Sequence, residues 1–553
     1  MLNREFNSIS QAALLLGFFA FLSQILGLFR DRGLASILGP SSTLDIYYAA
    51  FRIPDLLYVT IASFFAITAL LPFLTARSKD GDEVKAREFF NSVFSIFMIG
   101  LIGVSIILLI LMPYIAPLIV PGFSGEELKD LILISRIMLL SPIFMGISNL
   151  FGSVTQMYRR FFVYALSPIF YNIGILVGVF ILYPAFGISG LAFGVILGAF
   201  LHALIQLPVI IRHRFVPKFT IKFRWSEIRP LIALSLPRTI GLATTNISII
   251  AIVAMASLIG EGSISVFQFS YNLQNVPLIL IGLSYSVAAF PTLSRLFNEN
   301  NIKLFIEEIK NAGRQIIFWS LPVVFLFIVL RAQIVRVVLG TGNFDWSDTR
   351  LVAASLALFS ISVLAQSLLL LLVRGYYAAG RTWRPLLINV ATTGVTIIMA
   401  FLLLWAFDHF IYFRYFIESL LRVDDLSSTS VLMLPLAFST GLIVNFIWLW
   451  FAFRKDFPLI QKSGLARTFF QSLGGSFIMA SVAYKSLQFF DNIFDINTFF
   501  GIFLQGFLSG ILGIIAGIIV LRLMKNKELS DVSKALRSKF WKTPVIQEAQ
   551  IEL

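Results

Sequence analysis

Runs of about 20 residues with few or no charges recur along the chain, as at Ser92 to Met112, Ile316 to Leu330 with its flanks, and Thr498 to Leu521. A helix of that length crosses a hydrocarbon core of about 30 Å, whereas a helix in a soluble core is usually shorter. Of 553 residues, 58% are hydrophobic and 13% charged, against roughly a quarter charged in a soluble domain. So much apolar surface has to face lipid, and the chain reads as an all-α polytopic membrane protein.

Apolar runs bounded by charge, Pro or Gly predict about fourteen spans, near 9–29, 46–75, 89–112, 129–156, 161–182, 186–211, 229–259, 263–290, 315–331, 350–374, 384–407, 430–453, 466–488 and 498–522. The start carries no small-residue cleavage site after a short apolar core, so 9–29 reads as a retained span rather than a signal peptide. Lys and Arg in short loops stay cytoplasmic. Placing the N-terminus inside puts most of the 43 Lys and Arg there and leaves the acidic or neutral loops outside, among them those with Asp424 and Asp425 and with Asp491 and Asp495. The C-terminus is then also cytoplasmic. Asn298 to Arg314 sets Ile302, Phe305 and Ile309 at helical spacing among charges, which predicts a helix lying on the membrane. Lys525 to Trp541, with Val532, Leu536 and Phe540, reads either so or as a solvated helix.

Transporters often carry internal duplication. Pro168 and Asn172 recur as Pro385 and Asn389, and Pro72 with Arg77 as Pro291 with Arg295, all at offsets of 217 to 219. Pro54 and Pro277 repeat at a nearby spacing. The agreement predicts two six-span lobes of like orientation, residues 1–225 and 226–460, related by a pseudo-twofold axis along the membrane normal. Spans thirteen and fourteen (461–524) stand outside the repeat, and a basic tail (525–553) follows. A transport pathway is expected between the lobes.

Charge at bilayer depth costs roughly 2.5–3.5 kcal/mol on insertion scales, so charged residues retained there usually face a wet or protein-lined cavity. Arg30 and Asp31 end the first span, and Asp45, Arg52 and Asp55 lie along the second. Arg52-Ile53-Pro54-Asp55 alone interrupts the apolar run from Ile46 to Phe73, and its proline can kink the helix and open carbonyls to a cavity. The blander alternative is a capping Asp45 and an Arg52–Asp55 pair that neutralises itself, with Arg30 and Asp31 snorkelling to a membrane boundary. Gln268, Asn272, Gln274 and Asn275 form an amide-rich stretch suited to substrate polar groups or to joining helices. Asn172 and Asn389, each four residues after a proline, read as helix-packing devices.

Several function classes fall away. The net charge of +14 is spread between apolar spans, not laid on a face with interleaved stacking aromatics, which argues against nucleic acid. With no cysteine, disulfides and thiolate chemistry are excluded. His202, His213 and His409 show no ligand spacing. No phosphate-binding loop or H-E-x-x-H motif is present, so no ATP hydrolysis or cofactor is expected, and the chain reads as no enzyme. Energy has to come from a coupling ion, the membrane potential or the substrate gradient.

Leu22-Ser23-Gln24-Ile25-Leu26-Gly27-Leu28-Phe29-Arg30-Asp31, Asp45 with Ala50-Phe51-Arg52-Ile53-Pro54-Asp55-Leu56-Leu57, and Leu71-Pro72 open a series of motifs. It continues through Pro237-Arg238, Gly262-Ser263-Ile264-Ser265, Ala289-Phe290-Pro291-Thr292-Leu293-Ser294, Gly342-Asn343-Phe344-Asp345 and Arg374-Gly375-Tyr376-Tyr377-Ala378. In this order they resemble the MurJ/MviN family, the proposed lipid II flippases within the larger group of multidrug and oligosaccharidyl-lipid exporters.

The resemblance implies two lobes that rock to expose a cationic cavity first inward and then outward, with the last two helices forming a groove for a lipid tail. It implies as substrate a peptidoglycan precursor linked to polyprenyl diphosphate. Membrane lipids and other cell-wall synthesis proteins would be its further partners. It makes Arg30, Asp31, Asp45, Arg52, Asn272 and Asn275 the substrate-site residues, the two arginines on the diphosphate and Asp31 and Asp45 orienting them.

The chain also departs from the pattern. Gln24 stands where the family commonly has Arg, Tyr58 near a basic position, Ser63 and Phe64 around a Glu-Gly, and Asn272 and Asn275 in place of Arg and Glu. The sodium-site carboxylate of some members has no counterpart around Val253. These changes keep open another lipid-linked oligosaccharide or an amphiphilic drug as cargo, and a non-transporting scaffold.

Overall fold

The computed structural model describes residues 9–64, 67–79, 83–221, 223, 225–461, 464–495 and 498–540. Among them every regular element is helical, as it must be where no water is present to satisfy an open strand edge. Ten helices are long and apolar enough to cross a membrane, and the pair Trp346–Ser360 and Val363–Ala378, bent by 43°, supplies an eleventh. The three other expected ranges fall on helix Ile9–Leu38, on the interrupted run from Ser42 to Lys79, and on helix Leu465–Asp491.

Two compact units are interleaved in sequence. The first comprises Met1–Val276, Val338–Phe359 and Arg381–Asn445. In it the helical run Phe161–Phe186 packs closely on helix Ile188–Leu204. A Cβ on Gly174 would stand 2.2 Å from the Gly198 Cα, and one on Gly178 would stand 2.7 Å from the Gly194 Cα. Glycines four apart on both helices bring the backbones into contact, the small-residue packing that replaces hydrophobic drive in lipid.

In the same unit, the second expected span breaks into Ser42–Ala50 and Arg52–Phe64, with a turn at Phe51. Pro54 explains the break. Its ring clashes with the carbonyl four residues back, which belongs to Ala50, and it offers no N–H to that carbonyl. The helix restarts one residue later, with the Asp55 amide bonded to the Phe51 carbonyl at 2.8 Å. The side chains of Ser63 and Phe64 lie outside the described residues.

The second unit comprises Pro277–Val337, Ser360–Gly380 and Phe446–Leu553. Residues 302–314, expected as a separate surface helix, instead form the first turns of one helix, Ile302–Val329, capped at Leu304 N by the Asn301 side chain. Nothing between Arg314 and Ile316 breaks helical geometry, and Phe305 and Ile309 are buried. This helix packs along Leu465–Asp491, which in turn pairs with Phe499–Leu523. The tail forms helix Lys527–Phe540. Asn526 caps it through Leu529 N, and the buried Glu528 accepts from the Thr468 hydroxyl at 2.8 Å. Trp541 and the side chains of Leu536 and Phe540 lie outside the described residues.

Candidate functional site

The first unit holds a cavity of about 240 Å³ whose lining includes Arg30, Tyr48, Arg52, Asp55, Gln268 and Asn272. Each wall has a local cause. Arg30 lies well inside helix Ile9–Leu38, which runs eight residues past it. The break at Phe51 puts Arg52 in the first turn of a new helix. Gln268 and Asn272, four apart, share one face of helix Ser263–Pro277.

A continuous polar chain joins the two arginines. Arg30 clamps the Asp31 carboxylate through Nε at 3.0 Å and Nη2 at 2.8 Å. The other Asp31 oxygen accepts from Asn272 Nδ2 at 3.0 Å, Asn272 Oδ1 accepts from Gln268 Nε2 at 2.8 Å, and Gln268 Oε1 accepts from Arg52 Nη2 at 2.6 Å. On the far side, Asn172 Oδ1 takes Arg30 Nη1 at 3.5 Å while its amide nitrogen reaches Ser23 Oγ at 3.2 Å.

Arg30 is thus held by a carboxylate in direct contact, whereas the hydrogen bond of Arg52 goes to an amide. Asp55, its partner in the blander alternative, makes no hydrogen bond or close ion pair with it and acts on it only through its charge. Arg52 Nε and the Tyr48 hydroxyl are buried with no hydrogen-bond partner, and both residues line the cavity. Leaving such a group unsatisfied costs about 1–3 kcal/mol. A ligand with closely spaced anionic oxygens would relieve both, and a guanidinium fork suits phosphate geometry.

About two helical turns before Arg52, roughly 10 Å along a helix axis, the structure closes. Asp45, 1% exposed, accepts the backbone amides of Gly262 at 2.8 Å and Ser265 at 2.7 Å, and the Ser265 hydroxyl. It therefore caps the start of helix Ser263–Pro277, satisfying orphan donors at the positive end of the dipole. Ser42 adds a bond from its amide to Glu261 at 3.0 Å and one from its hydroxyl to Glu127. Asn343 donates to the Ser36 and Ile37 carbonyls at 2.9 and 2.7 Å. Gly262 is needed here: its φ is +80°, and a Cβ would stand 2.9 Å from the Pro40 carbonyl oxygen.

The second unit holds a larger groove, about 1090 Å³, walled by apolar residues such as Trp319, Leu326, Met479 and Ile518 and edged by Arg522, Lys525, Lys527 and Lys534.

Of the residues singled out from sequence, Arg30, Asp31, Arg52 and Asn272 meet in one network. Asp45 does not orient an arginine, because its carboxylate is fully engaged by the helix start it caps. Asn275 faces Tyr271 and is not part of the cavity wall. Gln268, the link between Arg52 and Asn272, is visible in the sequence only as one amide among several. Asn172, read as a packing residue, bonds the Pro168 carbonyl at 3.1 Å as such residues do, and also reaches Arg30. Asn389, 217 positions on, accepts from Asn445 instead, at 2.9 Å.

Known proteins place this architecture. A solved structure described as "Lipid II flippase MurJ, inward closed conformation" superposes with a TM-score of 0.72 at 22% identity, covering 94% of this chain and all of that one. An inward-facing MATE-family multidrug resistance transporter of the MOP superfamily follows at 0.62 and 14%, covering 82% of this chain and 99% of its own; both likenesses show the fold. The probable lipid II flippase MurJ of Buchnera aphidicola subsp. Schizaphis graminum is 28% identical over 408 residues, 73% of this chain and 79% of the relative. The lipid II flippase MurJ of Burkholderia cenocepacia is 22% identical over 500 residues, 88% and 91% of the two chains. Residues 34–505 match the family described as Lipid II flippase MurJ, and the chain belongs to that family.

Proposed function

We propose that this protein is a flippase for lipid II, carrying the diphosphate-linked precursor from the cytoplasmic to the external leaflet of a bacterial inner membrane by alternating access. The observation that carries this reading is the arginine-linked cavity, with an unspent Arg52 donor beside an unspent Tyr48 hydroxyl. Arg52 and Arg30 hold the diphosphate, and Asp31 fixes the rotamer of Arg30. The apolar groove of the second unit, walled by helices Ile302–Val329, Leu465–Asp491, Phe499–Leu523 and Lys527–Phe540, takes the lipid tail. With both termini cytoplasmic, the Asp45 closure lies on the external side, and the described state has its exit shut. Cell-wall synthesis proteins that consume the flipped lipid are natural partners.

The test is complementation of a flippase-depleted strain, paired with lipid flipping in proteoliposomes with and without an imposed potential or sodium gradient. Arg52→Ala is expected to abolish both while the protein still inserts and folds. Full activity of the Arg30→Ala, Arg52→Ala double variant would remove the cavity from the mechanism. The MATE-like fold also fits an amphiphilic-drug exporter. Native mass spectrometry separates the two, since such an exporter would show no preference for diphosphate lipids over monophosphate ones.

A further inference from the structure

Residues 410–430, which the hydropathy pattern leaves in a loop, contain a helix, Ile411–Leu421, of sequence IYFRYFIESLL. Its two faces differ sharply. Ile417, Glu418 and Leu421 are buried in the first unit, while Tyr412 is 88% exposed, Phe416 63% and Tyr415 57%. The exposed arc, completed by Ile411, Ser419 and Leu420, carries no charge of its own, and Arg414, half exposed, reaches out from the opposite side of the helix. The two charged residues of the helix are spent on each other and on the fold: Glu418 accepts from Arg414 Nε at 2.9 Å and from the Thr429 hydroxyl at 2.6 Å.

The position of this helix follows from the element before it. Trp383–His409 has 27 residues, about 40 Å at about 1.5 Å per residue, enough to cross the roughly 30 Å core. It begins beside Arg381 and Arg384 and ends in Asp408-His409. The Ile411–Leu421 helix therefore starts at the level where lipid tails give way to headgroups. Its other end is marked by Arg422, Asp424 and Asp425. Ile398, Phe401, Leu402 and Trp405 are exposed on the spanning helix, and the Trp405 ring stands 5.5 Å from that of exposed Phe410, which links this lipid-facing strip to the exposed aromatic face that follows.

The pose is held firmly. Arg350 donates to the Arg422 carbonyl through Nε at 3.2 Å and to Asp425 Oδ2 through Nη1 at 2.7 Å. Arg422 ends the helix in a left-handed conformation, φ +61°.

We propose that Ile411–Leu421 is an interfacial anchor, lying in the plane of the bilayer surface with Tyr412, Tyr415 and Phe416 among the headgroups and upper acyl chains. Amphipathic rings with a polar tip favour that zone, and a short helix whose uncharged face is aromatic and aliphatic but for Ser419 is suited to lie in it. The occupant is lipid, because the face is continuous with a lipid-facing strip. That this is the outer leaflet rests on the orientation proposed above; that the helix lies in an interface does not.

The chain has no cysteine, so single variants Tyr412→Cys, Phe416→Cys and Asp424→Cys take an environment-sensitive fluorophore cleanly. In vesicles of phosphatidylethanolamine and phosphatidylglycerol, nitroxide lipids labelled near the headgroup should quench the first two several-fold more than the third. Aqueous iodide should show the reverse order. Iodide quenching at Tyr412→Cys and Phe416→Cys equal to that at Asp424→Cys would show a solvated face and overturn the proposal. Protection from both quenchers would overturn it too, by showing that protein covers the face. Labelling of Asp424→Cys in intact cells by an impermeant thiol reagent reports the leaflet separately.

Discussion

Asp45 binds Ser265, a residue 220 positions away, through both its backbone amide and its hydroxyl, and that separation is close to the offset at which the sequence motifs recur. Neighbouring contacts share it: Asp45 to Gly262 spans 217 residues, Ser42 to Glu261 spans 219 and Arg52 to Gln268 spans 216. The proline and asparagine pairs of the sequence recur at 217 to 219. Contacts at this offset are what the expected pseudo-twofold repeat would produce if its axis passed between the start of the second span and the start of the eighth, and both the Asp45 cap and the arginine link join those two segments.

This placement makes Asp45 a determinant of the closed state. Asparagine in its place keeps the shape but loses the charge. Hydrogen bonds to a charged group are worth about 1.5–3 kcal/mol each, so even one lost bond shifts the open-to-closed ratio by about tenfold or more. In a Ser42→Cys, Glu261→Cys background, Asp45→Asn should form the disulfide markedly more slowly than the parent, and Ser265→Ala should act in the same direction but less. An unchanged rate for Asp45→Asn would mean that the cap does not hold the closure.

How much of this is legible in the sequence varies from residue to residue, and the reasons are physical. Pro54 announces the break at Phe51 because a proline acts on the carbonyl four residues before it, a purely local effect. Arg30, Asp31 and Arg52 stand out because charge in an apolar run is costly. Gln268 does not, since an amide in a helix has many uses and its partner lies 216 positions away. The role of Asp45 is hidden for the same reason: the offset is readable, but not that residues separated by it touch. The Ile411–Leu421 helix escapes a hydropathy reading because one face of an 11-residue segment is too short a run to register as a span.

Gly262 offers a test of the close approach at the closure. Alanine there has to adopt a left-handed conformation, about 1–2 kcal/mol, and also displace the Pro40 carbonyl. Gly380 has a similar φ of +69°, and a Cβ added there would meet nothing within 4 Å. Gly380→Ala should therefore lower the melting temperature in detergent by the backbone cost alone, and Gly262→Ala by clearly more. Equal shifts would show that the contact with Pro40 yields freely.

The exposed Arg350–Asp425 pair predicts a pH effect of known sign. The Arg350 guanidinium holds the Asp425 carboxyl below its ordinary value. Its contribution is thus fully present above the unfolded value near 4 and is lost as pH falls through the lower folded value. The pair is solvent-exposed, so the effect is small. Between pH 6 and pH 3 the thermal stability of Asp425→Asn should fall less than that of the parent, and the two curves should converge at the acid end. A gap that widens on acidification would reverse the assignment.

The strongest discrimination is expected at Arg52, because its Nε is a buried donor without a hydrogen-bond partner on a residue that lines the cavity. Lysine preserves the charge but neither the planar geometry nor the second donor, so Arg52→Lys should still fold yet bind a polyprenyl diphosphate at least tenfold more weakly, the effect of about 1.4 kcal/mol. Gln268→Ala leaves the arginine in place and removes only the acceptor that aims it. Its loss should therefore show as weaker binding that excess lipid restores, whereas Arg52→Lys should remain slow in flipping at saturating lipid. Native mass spectrometry gives the binding and a proteoliposome assay gives the rate. If Arg52→Lys matched the parent in both, the cavity would be acting as a point charge, and the hydrogen-bonded line from Arg30 to Arg52 would serve packing, not recognition.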